Sequence, residues 1–236
     1  MRNVFLTVNK KVVALCLAVV LATVLCLGLI LNSNIKPSAA TPLNLTVVID
    51  AGHGGADGGT VGDTTGITES ELNLAFAKKL TKYLQNFGIT VINTRNTMDG
   101  LYETFDENYK LNDMEKRKEI INNSGAQVLL SIHMNKFTSH YENGAQVFFK
   151  ENNADGEQLA KAIRDMLKAN FDNARELALG GDFYILNCTN IIGCIVECGF
   201  LSNPTEEQNL QQDEYQNKMC YSIFCGIINY LNVVRY

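Results

Sequence analysis

From Leu45 onward, short apolar runs alternate with segments of helical periodicity. "LTVVID", "ITVINTR", "AQVLLSIH", "GAQVFFK", "DFYIL" and "GCIVE" read as six strands. Between them, "TESELNLAFAKKLTKYLQNFG" places Leu72, Phe76, Leu80 and Leu84 at helical spacing, with Gly88 as its stop. "LNDMEKRKEIINNSG" and "DGEQLAKAIRDMLKANF" read as further helices. Asn203-Pro204 opens a last helical region that buries Met219, Ile223 and Ile227. Nearly continuous apolar strands alternating with helices predict an α/β domain: a twisted central sheet of about six strands, mostly parallel, covered by helices on both faces.

The chain of 236 residues is long enough for one such domain plus an appendage, and 46% hydrophobic residues suffice for its core. The expected division is residues 1–40 as appendage and 44–235 as domain, joined through the polar linker "NSNIKPSAATPLN". A net charge of −5 argues against a nucleic-acid partner, which demands a basic face.

Val12 to Leu31 is an uncharged run of twenty residues, long enough to span a bilayer as a helix. Arg2, Lys10 and Lys11 precede it, which places the N-terminus in the cytoplasm and the domain outside. The competing reading is a signal segment cut near Ser38 and Ala40. Both readings export the domain, either anchored on the outer face of the membrane or secreted.

Cys16 and Cys26 lie in the apolar run; Cys188, Cys194, Cys198, Cys220 and Cys225 follow it. Cys194 and Cys198 lie roughly 13 Å apart along a strand, too far for a disulfide. No CxxC pair exists, so these read as buried small hydrophobes.

Ligands of parallel sheets bind beyond the carboxyl ends of the strands. Asp50 ends the first strand and His53 follows; His133 ends the third; Glu197 ends "GCIVE". A carboxylate between Val196 and Cys198 is costly there unless something binds or needs it. The glycine loop after His53 does not suit a phosphate. It runs on through "TVGDTTGI" before any helix, lacks GxGxxG and GK[ST], and carries Asp57 and Asp63.

A metal suits it better. Catalytic zinc takes three protein ligands, often two His and one Glu, and keeps one position open. His53 and His133 meet at one strand edge, with Glu69 or Glu71 available as the third ligand. Thr68-Glu69-Ser70-Glu71 has the form of a capping box, which gives Glu71 a structural role and leaves Glu69 as the ligand. His140, in the polar turn "FTSHYENG", reads as solvated. Arg95 ends "ITVINTR" and is assigned equally to a substrate carboxylate in the crevice or to a pair with Asp99.

Zinc at such a site lowers the pKa of a water to roughly 7 and polarises a carbonyl. Amide cleavage also needs a proton shuttle, and an acid in apolar surroundings has its pKa raised toward neutrality. Glu197 is placed for that role. HExxH and GxSxG are both missing, and neither Ser131 nor any Cys has a base-and-orienter partner in view.

"VVIDAGHGGADGG", "TESELNLA", "TR", "LNDMEKRKEIIN", "SIHMN", "VECGFLSNP" and "CGIINYL", in this order over residues 45 to 234, resemble the zinc-dependent N-acetylmuramoyl-L-alanine amidases of bacterial cell walls. The resemblance implies hydrolysis of the amide between the lactyl group of muramic acid and the L-alanine of the stem peptide. It implies one zinc ion per chain on His53, Glu69 and His133, with Glu197 as the catalytic acid/base. Peptidoglycan is then the substrate, and an accessory activator protein is an option the sequence leaves open, as it does the oligomeric state.

The chain departs from the family pattern in three ways. It has no wall-binding repeats, only "MNKFTSHYE" separates His133 from Gly144, and Ile192 stands where a Pro is frequent. A short, membrane-anchored member is most similar to the amidases of spore-forming bacteria, which act on spore cortex in the route to muramic-δ-lactam. Two rivals remain: a zinc peptidase on another cell-wall amide, and a metal-free wall-binding module.

Overall fold

The computed structural model describes Lys11, residues 18–23 and residues 45–234. The chain divides into two units, Met1–Thr41 and Pro42–Tyr236. In the first, residues 18–23 are helical. The rest of the apolar run 12–31, with Cys16 and Cys26, lies outside the described residues, and so does the expected membrane span. Among the described residues no helix is long and apolar enough to cross a membrane.

The second unit holds a six-stranded sheet made of β1 (Thr46–Ala51), β2 (Thr90–Asn93), β3 (Val128–Asn135), β4 (Gln146–Lys150), β5 (Leu179–Gly181) and β6 (Ile192–Phe200). Their order is β2-β1-β3-β6-β4-β5. The first four are parallel, and β4 runs antiparallel to β6 while pairing in parallel with β5. The helices are α1 (Glu69–Asn86), α2 (Tyr109–Asn123), α3 (Ala154–Asn170), α4 (Tyr184–Asn187), α5 (Pro204–Leu210) and α6 (Asp213–Val234).

Alternate strand residues point to opposite faces, so each buried strand feeds two cores. Val47, Ile49, Leu130, Ile132, Cys194 and Val196 pack with Phe76 and Leu80 of α1, Ile163 of α3 and Ile223 of α6. Val48, Leu129 and Ile195 face the other way, onto Ile121 of α2 and Ile185 and Leu186 of α4. The sheet is covered on both faces. Cys194, Cys198 and Cys220 are fully buried, and the five described cysteines are unbridged.

One predicted strand is a helix. "DFYIL" forms the single turn α4, and the fifth strand lies just before it at Leu179–Gly181. Ile185 and Leu186 are adjacent and both buried on the same core. A strand would send neighbours to opposite faces, whereas one helical turn lets both face inward.

Candidate metal centre

His53, Glu69 and His133 reach one point from three elements. β1 ends at Ala51, and His53 follows in a left-handed conformation, φ 62°, which non-glycine residues seldom adopt. Two buried arginines hold that turn. Arg117, from α2, donates to the carbonyls of Ala51 (2.7 Å) and His53 (2.6 Å). Arg95, which follows β2, donates to the carbonyls of Ala51 (2.9 Å), Gly52 (3.0 Å), Ser70 (2.8 Å) and Thr97 (2.9 Å).

Arg95 therefore meets neither a crevice nor Asp99. It is 3% exposed, and four of its N–H groups are spent on backbone carbonyls. A strand-end arginine was readable from the sequence, but the loop that folds back over it was not.

Glu69 opens α1. Glu71 reaches back to the Thr68 N–H at 3.1 Å, the capping arrangement expected, which leaves Glu69 free to turn inward. Glu69 is 2% exposed. Its Oε1 lies 2.8 Å from His133 Nδ1 and 3.2 Å from His53 Nε2, and it accepts from the Met134 N–H at 3.2 Å. Its Oε2 accepts from the Thr60 N–H at 2.9 Å. The two imidazoles meet edge to face with centroids 5.1 Å apart.

Potential ligand atoms of the three residues all lie within 4.8 Å of one another. Two imidazole nitrogens and one carboxylate oxygen form a donor set that suits zinc, and two of the three are already supported, Glu69 by the Thr60 and Met134 N–H groups and His53 by Asp57. Asp57 Oδ2 lies 2.9 Å from His53 Nδ1, which orients the ring so that Nε2 faces Glu69. The approach is tight: Gly59, at φ 68°, lies where a Cβ would fall 2.5 Å from Glu69 Oε2. His140 stands apart, exposed, with Nδ1 2.8 Å from the Ser202 carbonyl.

The charges agree with this arrangement. Burial alone would raise the Glu69 carboxyl, yet its bonds to His133 and His53 hold it well below the carboxylate range. Burial alone would lower His53, but Glu69 and Asp57 push it up to about 9, and His133 is raised by Glu69 in the same way. The Glu69 carboxylate and the two imidazoles thus form one coupled charge cluster.

Glu197 stands beside this group. The β3–β6 register pairs it directly with His133. Burial raises its carboxyl to about 7, against the opposing pull of His133. Its Oε2 is buried with no hydrogen-bond partner. An orphaned acid oxygen is costly in a folded core, and its placement at a cleft is a mark of chemistry. The cleft, of about 290 Å³, has His53, His133 and Glu197 on its floor. Tyr102, Tyr109, Phe183 and Tyr184 are among the residues of its walls.

A buried charge network borders the cleft. Arg117 contacts Asp50 (2.6 Å) and Asp113 (2.5 Å), and Asp50 also accepts from Thr94 and Ser131, each at 2.7 Å. Burial would raise Asp50, but Arg117 and the two hydroxyls bring it down to about 2. Sequence reasoning missed Arg117 and the orienting role of Asp57. The only signal for Arg117 was its i, i+4 spacing between Asp113 and Ile121, which puts all three on the buried face of α2.

Known proteins match this chain over nearly all of the second unit. A family model described as N-acetylmuramoyl-L-alanine amidase matches residues 47–229. The germination-specific N-acetylmuramoyl-L-alanine amidase of Bacillus subtilis (strain 168) is 36% identical over 204 residues, covering 84% of this chain and 85% of the relative. The CwlD amidase from Clostridioides difficile, solved in complex with the GerS lipoprotein, superposes with a TM-score of 0.77 at 36% identity, covering 80% of this chain and 100% of that one. An N-acetylmuramoyl-L-alanine amidase from Clostridium difficile 630 gives a TM-score of 0.71 at 31% identity, covering 80% and 97%.

Proposed function

The chain belongs to the N-acetylmuramoyl-L-alanine amidase family, and from that premise we propose that it cleaves peptidoglycan with one zinc ion held by His53, Glu69 and His133, and with Glu197 as the acid/base. The bond cut is the amide between the lactyl group of muramic acid and L-alanine. The observation that carries the reading is the unpartnered Oε2 of Glu197 beside three convergent donors.

Zinc, when bound, supplies a Lewis acid that activates water and polarises the scissile carbonyl. The chain's own residues do the rest. Asp57 fixes the His53 ring, and Arg95 and Arg117 fix the loop that presents it. Glu197, with its carboxyl near 7, takes a proton from the attacking water and delivers it to the departing nitrogen of L-alanine.

Digestion of purified peptidoglycan should free N-terminal L-alanine, and cleavage inside the stem peptide would overturn the assignment. In Glu197→Gln, zinc content should persist while turnover falls by about 10²-fold or more. Full activity in that variant would remove Glu197 from the mechanism.

The similarity to a germination-specific amidase supports a place in spore-cortex maturation toward muramic-δ-lactam. Cortex from a strain lacking this protein should then lack the lactam. An accessory protein is also part of the proposal, on the precedent that the similar CwlD structure is a complex with a lipoprotein. Unchanged activity when such a protein is removed would count against it. For export we retain the apolar run 12–31 as anchor or signal, and recovery of the protein in the cytosolic fraction would refute that.

A further inference from the structure

The cleft carries a charge the mechanism does not use. Its lining includes four acids, Asp50, Asp57, Asp113 and Glu197, and two side chains that are always cationic, Lys110 and Arg117. Arg117 is 1% exposed and consumed by Asp50, Asp113 and two carbonyls. Lys110 is different. Its side chain is 62% exposed, and among the described residues its ion-pair partner is Asp57 Oδ1 at 3.2 Å. The other oxygen of that same carboxylate holds His53, so a single carboxylate separates the ammonium group from a proposed zinc ligand. Lys110 sits in the first turn of α2, which contains no acid to cancel its charge.

We propose that Lys110 is a specificity-determining residue, selecting stem peptides whose second residue carries a free carboxylate. This rests on the amidase reading given above. The distance from the scissile nitrogen to the carboxylate of the residue after L-alanine is about 6 Å by standard backbone lengths. That places the anion within reach of a cation one carboxylate away from the His53 ring. An ammonium group has three donors, so Lys110 can hold Asp57 and a substrate oxygen together. Among the described residues that line the cleft, Lys110 is the one accessible side chain that is always cationic.

The test is a competition between two substrates. One is N-acetylmuramoyl-L-alanyl-D-glutamate γ-methylamide with its α-carboxylate free; the other is the same compound with the α-carboxyl also an amide, so that the α-carboxylate alone distinguishes them. The ratio of the two kcat/KM values is insensitive to the fraction of active enzyme, so partial misfolding does not obscure it. Zinc-loaded wild type should favour the acid by about two- to fivefold at low salt, the range of one half-exposed ion pair. The ratio should fall toward one in Lys110→Met and survive in Lys110→Arg.

Calorimetric binding of both compounds to Glu197→Gln should give the same ordering without turnover, and adding Lys110→Met to that variant should abolish the preference. An equal ratio in wild type and Lys110→Met, or a wild-type preference for the amide, would overturn the inference. If neither compound is cleaved, the amidase reading is what fails, and the binding ratio still decides the role of Lys110.

Discussion

Gly52→Ala should remove the metal without unfolding the domain. Gly52 lies between β1 and His53, and a Cβ there would fall 2.2 Å from His133 Cε1, 2.3 Å from Nε2 and 2.7 Å from Nδ1. Ordinary contact begins at 3.4 Å, so the ring must retreat by about 1 Å. It has somewhere to go, since the His133 side chain is 22% exposed toward the cleft.

Metal ligands tolerate displacements of only about 0.2 Å. Loss of a supporting contact alone costs about 10- to 100-fold in affinity. Moving a ligand should cost at least about 100-fold, equivalent to about 2.7 kcal/mol. The folding penalty is smaller: about 1–3 kcal/mol for overpacking, offset in part by about 0.4–1 kcal/mol from the stiffer unfolded chain. Zinc titration against a competing chelator reads the first quantity, and urea unfolding in excess chelator reads the second. A zinc affinity within about threefold of wild type would show that His133 is not a ligand or that the ring is not confined by Gly52.

Asp57→Ala should weaken zinc by about 10- to 100-fold in the same titration, because His53 loses the group that sets its ring. Arg117→Met leaves Asp50 and Asp113 buried without their counter-charge and should destabilise the chelated protein by about 3–5 kcal/mol in urea. Replacing Asp50 by Asn in the same chain should recover part of that loss. Asp50 has its folded pKa depressed from 3.8 to about 2, so its contribution is complete above pH 4 and fades as pH falls toward 2. The amount is about 2 kcal/mol, and Asp50→Asn should flatten the stability–pH curve in that window, as measured by urea unfolding at each pH. Exhaustive chelation should abolish amidase activity and stoichiometric zinc restore it; activity that survives chelation would exclude the metal reading.

Several features were legible because they are local. Helix α1 announces itself through Leu72, Phe76, Leu80 and Leu84, all at most 3% exposed. The choice of Glu69 over Glu71 followed from capping geometry, which four consecutive residues encode. Glu197 was marked by its cost, a charge inside an apolar run. By contrast, "DFYIL" has the composition of a strand, and only the apolar face of α2 and β6 on which Ile185 and Leu186 settle makes it a helical turn. Arg117 sits among Glu115, Lys116, Lys118 and Glu119, which pair on the surface. Nothing in that run of charges tells the one buried member from the others.

What the chain's letters determined by themselves was which side chains must leave the core: His53 follows the buried run of β1, His133 and Glu197 interrupt the buried runs of β3 and β6, and the capped start of α1 frees Glu69. The fold alone decided their meeting. Only the order β1-β3-β6 brings residues 53, 133 and 197 to one edge, and only the β3–β6 register sets Glu197 beside His133. Burial periodicity is written within a few residues of each position. Strand neighbours, register and the partner of a buried arginine depend on contacts tens of residues apart, which no local pattern encodes.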